Sequence, residues 1–123
     1  MTPAQLRAAL ATLLADVLGT YSVPNVPGAT PAIRVGNPPS DWTVTGVEAI
    51  IGTTPDMDNT PLYGAEHNLA ETHLVRLVQH GTPGKLSQAT RRVVRAYSDS
   101  TVTRIDGNER LGILDQVIIR IPN

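Results

Sequence analysis

The sequence has no cysteine and no phenylalanine. The first absence excludes disulfides, thiol nucleophiles and cysteine-based metal sites. The second, with aromatics at only 3%, leaves the core to Leu, Ile, Val and Ala. Net charge is almost absent, −1 at neutral pH, so no whole-molecule field favours nucleic acid. No apolar run approaches the ~20 residues of a membrane-spanning helix. Met1 leads straight into a helix signal, with no basic stretch and cleavage site. That predicts synthesis and folding in a cytoplasm.

What is present describes a globular chain: 41% hydrophobic and 17% charged residues over 123 positions. That length predicts one domain, residues 1–123, burying roughly two-thirds of its surface. The N-terminus carries the clearest helix signal. Thr2 can cap it, Pro3 suits its first position, and Gln5 completes a capping box. Leu6, Leu10, Leu13, Leu14, Val17 and Leu18 then form one apolar stripe, with Gly19 as the stop.

Pro24, Pro27, Pro31, Pro38 and Pro39 forbid a long helix over 20–46. Short strands are predicted at Ala32–Val35 and from Trp42, and a firmer one at Val47–Ile51. Residues 53–66 read as a long loop, with Met57, Leu62 and Tyr63 as its bulky apolar groups. Asn68–Gln79 reads as a central strand, with Val75 and Leu77 on one face and Leu74 and Val78 on the other.

A second helix is predicted over Lys85–Tyr97. Leu86, Ala89 and Val93 would be buried, and Arg91, Arg92 and Arg95 would form one basic face. Val102–Ile105 and Ile113–Ile121 are predicted to pair as a hairpin, with Asp106-Gly107 signalling the turn. The fold class is therefore α+β (mixed α/β): a mostly antiparallel sheet of about five strands, packed by two helices, with one long loop.

Catalytic and metal-binding patterns are hard to find. His67, His73 and His80 match no common ligand spacing and read as solvated strand and loop-end side chains. Asp56 and Asp58 begin like a calcium loop, but the Gly and distal Glu are missing. Gly81-Thr-Pro-Gly84-Lys85 precedes a helix without the spacing of a phosphate loop. No nucleophile has a legible base. The predicted cofactor set is none, and no enzymatic activity is expected. Candidate contact residues are Trp42, Met57, Leu62 and Tyr63 as apolar anchors, and Arg91, Arg92 and Arg95 as charged contacts to an acidic subunit or to phosphates. Each has a structural alternative: a tucked loop, a lid over the first helix, or a solvated helix face.

The leading helix, the Gly-Val-Glu-Ala-Ile-Ile strand at 46–51, the long loop and the His-Leu-Val-Arg-Leu-Val-Gln strand at 73–79 form a recognisable layout. An Ala- and Arg-bearing helix and a closing Gln-Val-Ile-Ile-Arg-Ile-Pro at 116–122 complete it. Nearly the whole chain resembles the tail terminators and tail-to-head joining proteins of long-tailed bacteriophages. Where family members often carry an aromatic residue, near the end of the central strand, this chain has His80. The resemblance implies a structural virion protein, assembled in the host cytoplasm, that forms a homo-oligomeric, hexameric ring at the head-proximal end of the tail. Its implied partners are the tail-tube protein and the head-tail connector or head-completion protein. No membrane is involved, and DNA passes through the ring without sequence-specific binding. The alternative reading is a small-molecule-binding or enzymatic α+β domain. Under the ring reading, the loop at 53–66 meets the adjacent subunit or the tube, mobile in isolation and ordered on assembly.

Overall fold

A computed structural model describes residues 2–53, 56–61, 67–81, 84–108, 110 and 112–122. Helix α1 covers Pro3–Leu13, and its start is the expected capping box: Thr2 accepts from the Gln5 backbone, and Gln5 reaches back to the Thr2 backbone. Strands β1 (Thr20–Ser22), β2 (Thr30–Pro31), β3 (Ile33–Val35), β4 (Thr43–Ile51), β5 (Asp56–Pro61) and β6 (His67–His80) follow. Helix α2 (Leu86–Ala96) and the hairpin of β7 (Thr101–Asn108) and β8 (Ile113–Pro122) complete the chain.

All eight strands belong to one sheet, ordered β2-β1-β4-β6-β8-β7, with β3 beside the end of β4 and β5 beside the outer part of β6. Among the described strand pairs only β3–β4 is parallel, and an isolated parallel bridge joins Leu18 to Val47. The α+β class, the two helices and the antiparallel character stand as expected; the strand count is larger. The proline-rich segment yields β1, β2 and β3, because proline ends strands without preventing short ones at an edge.

Both helices lie on one face of the sheet. Leu6, Leu10, Leu14 and Val17 pack with Leu86, Ala89 and Val93 against Val47, Ala49, Ile51, Val75, Leu77, Val117, Ile119 and Ile121. Strand β6 is central, and apolar residues do occupy both of its faces. Val75 and Leu77 enter the helix-covered core, while Val78 is fully buried on the other face.

Gly19 has a different purpose from the one expected. The helix ends earlier, at Leu13. Gly19 is needed where the chain passes over β4, because a Cβ there would stand 1.7 Å from the Thr45 carbonyl oxygen. Gly46, at φ +80°, is its counterpart on β4. The Asp106-Gly107 pair is also corrected: it lies inside β7, not at the turn. Gly107 is required there by the Leu114 carbonyl, 2.4 Å from where a Cβ would sit.

The largest departure is the predicted long loop. Residues 56–61 form β5, paired antiparallel with 67–72 of β6. β5 takes up, along β6, the place that β4 leaves after Ile51. Among the described residues, the part of β6 before Thr72 pairs only with β5, and the pairing with β8 begins at Thr72 opposite Pro122. The result is a two-stranded arm reaching ~20 Å at ~3.3 Å per residue. Among the described residues, no helix is long and apolar enough to cross a membrane.

Candidate functional site

On the sheet face away from the helices, three strands bring together a buried polar network. β4 carries Glu48 two residues beyond Gly46, which pairs with His80 at the end of β6. β1 pairs with the start of β4 and sets Tyr21 opposite Val44. The Tyr21 hydroxyl donates to Glu48 Oε2 at 2.6 Å, and His80 Nε2 lies 2.9 Å from Glu48 Oε1. Glu48 is 3% exposed and Tyr21 2%. The carboxyl therefore depends on these two side chains in place of water. Burial, with the neighbouring Glu48 carboxyl, pushes the Tyr21 phenol well above its usual range.

Tyr21 continues outward into a more exposed cluster. Trp42 meets it edge-on, with ring centroids 5.4 Å apart and planes at 62°. The Arg34 guanidinium lies 5.1 Å above the Trp42 ring, a cation–π arrangement. Together with Arg7 of α1, these residues line an open groove of about 470 Å³, with Val26 and Pro31 on its apolar side. Arg34 donates from Nε to the Asn37 carbonyl. Among the described residues, neither Arg7 nor Arg34 forms an ion pair with a carboxylate. The groove thus offers two cationic groups beside a large aromatic surface. It can hold an anionic group with apolar atoms attached.

The predicted contact residues are dispersed. Trp42 stands in the groove just described, against Tyr21 and Arg34. Met57 belongs to β5 of the arm, and Leu62 and Tyr63 lie outside the described residues. The arginines of α2 do not act as one face. Arg92 forms a two-pronged ion pair with Asp16 and also donates to the Leu13 carbonyl, so it ties α2 to the end of α1. That guanidinium holds the Asp16 carboxyl down to about 2. Arg91 and Arg95 are exposed. Arg91 borders a smaller groove of about 220 Å³ between α2 and β7, where Arg104 is already paired with Asp115 at 2.7 Å.

Two of the three histidines depart from the expectation of solvated side chains, and the side chain of His67 lies outside the described residues. His73 is 1% exposed, on the helix-covered side of β6. His80 is largely covered and bound to Glu48. The polar network was missed because it depends on the register between β4 and β6, which a single sequence does not reveal. The one available signal was a glutamate in an otherwise apolar strand. Among the described residues, no group of three His, Asp or Glu side chains is placed to hold a metal ion. Lys85, from the apparent phosphate loop, donates to the Asp16 carbonyl. In comparisons with known proteins, no family model, curated protein or solved structure matches this chain.

Proposed function

We propose that this chain acts by assembly and not by catalysis, as a subunit of a ring at the head-proximal end of a phage tail. The ring ends tail-tube growth and joins the tail to the head connector, in the virion neck. DNA passes through it without sequence-specific binding. The resemblance supplies the place and the expected six-fold ring. The observation that carries the assembly reading is the β5–β6 arm. A two-stranded ribbon is marginally stable in water by itself, and among the described residues the 67–71 part of β6 pairs only with β5. Such a segment gains most from a partner surface, because contacts made on binding offset the cost of ordering it.

Replacing residues 56–71 with a short glycine-containing turn tests the reading. The body is expected to fold, while tails fail to join heads or grow to irregular length. Infectious, correctly joined particles from this variant would contradict the proposal.

A second reading, a small-molecule-binding domain, is favoured by one observation: the Arg7–Arg34–Trp42 groove falls in the size range of ligand sites. A small anionic aromatic compound that raised the melting temperature, in a chain that stays monomeric, would favour it.

A further inference from the structure

The arm and the body differ in charge. Strand β5 and residues 67–71 carry Asp56, Asp58 and Glu71, with no lysine or arginine. The whole chain is nearly neutral, so the body retains an excess of positive charge. Two grooves on the body present arginine beside apolar surface. In the one between α2 and β7, Arg104 is paired with Asp115, which leaves Arg91 as its one arginine without a carboxylate partner among the described residues, and no aromatic side chain lines it. In the other, Arg7 and Arg34 have no carboxylate partner among the described residues, and Trp42 and Tyr21 form the wall. Trp, Tyr and Arg are also the residue types that dominate the binding energy of protein interfaces.

We propose that the Arg7–Arg34–Trp42 groove receives the acidic β5–β6 arm of a second copy of this chain; this rests on the ring reading and names the contact that closes the ring. The arm leaves its own body at the Ile51 and Thr72 end of the sheet, and among the described residues the one strand that β5 pairs with is β6. Its occupant site is therefore on a neighbour. A contact between an arm on one copy and a groove on the next is heterologous, and such a contact generates a ring where the rotation between copies closes. Arg7 and Arg34 supply attraction and register, and Trp42 supplies the apolar contact area. Salt weakens the contact, since its charges lie at an open surface.

The test uses the full chain and four variants: R7E/R34E, D56K/D58K, the two combined, and R91E as the control in the other groove. Association is measured by sedimentation velocity at ~0.1 M and ~1 M salt, where the screening length falls from ~10 to ~3 Å. Each charge-reversed pair is expected to weaken association about tenfold or more, the combination to regain it, and R91E to behave as wild type. Circular dichroism checks that each variant is folded. The absence of native cysteine allows a second measurement independent of charge and of the fold of R7E/R34E. Under oxidising conditions R34C/D58C is expected to give a ladder of linked copies on a non-reducing gel. A wild-type chain that stays monomeric overturns both the ring and this contact. A wild type that assembles leaves the ring standing but overturns the contact in either of two cases: R7E/R34E assembles equally well with no ladder formed, or R91E is the variant that fails.

Discussion

Glu48 is held where water does not reach it, and its two oxygens are met by Tyr21 and His80. Removing a partner from such a group leaves the others buried and unsatisfied, at about 1–3 kcal/mol each. Glu48→Ala is expected to destabilise the protein by an amount in that range or above. The double variant with Tyr21→Phe should cost less than the sum of the two singles, because both remove the same contact. Chemical denaturation of the three variants measures this. The raised Tyr21 phenol adds a pH signature. Its folded-state value lies above the ordinary 10.0, so its contribution is fully present below pH 10.0 and is lost as pH rises beyond it. The wild type should therefore lose stability more steeply above that pH than Tyr21→Phe. Asp16 behaves in the opposite sense. Its carboxyl is lowered from 3.8 to about 2 by Arg92. The contribution is present above pH 3.8 and is lost as pH falls towards 2. The melting-temperature gap between wild type and Asp16→Asn should be small, because the pair is exposed, constant near neutrality, and should shrink as pH falls from 3.8 through about 2.

Gly19 and Gly46 let the segment after α1 cross β4 with backbone touching backbone. A methyl group at 19 would stand 1.7 Å from the Thr45 oxygen, so one of the two chains must move. Gly19→Ala is expected to lower the melting temperature by several degrees or more, whereas Gly28→Ala, which meets nothing, costs only the strain of its positive φ. Thermal unfolding of the two variants separates these cases. The elements themselves differed in how readable they were. Both helices were legible because leucine and valine recur at three- and four-residue steps and Thr2 and Gln5 mark a start. Strand β6 was legible from its apolar faces. β5 was not, because four of its six residues are Asp, Asn or Pro, which are poor strand formers. Their extended conformation follows from pairing with β6, a tertiary cause that leaves no local periodicity. The same reason hid Glu48, Tyr21 and His80, which lie far apart in sequence. Arg92 was misread in the opposite direction: it looked like part of a solvated basic face, yet its guanidinium is taken by Asp16.

At the scale of the whole molecule, one two-layer body carries an extended acidic arm at one end of its sheet and an arginine- and aromatic-lined groove elsewhere. Body and arm have separate energetics. The body is held by the aliphatic layer between helices and sheet, and its stability should survive loss of the arm. The arm gains its order from pairing and from whatever it meets. The measurement that tests this most directly is the molar mass of the purified chain by light scattering, with and without residues 56–71. The account predicts that the intact chain forms a discrete closed species, six times the monomer mass, and that the armless chain is a folded monomer with a nearly unchanged melting temperature. An intact chain that remains monomeric at every concentration, or an armless chain that still closes into the same species, would contradict it.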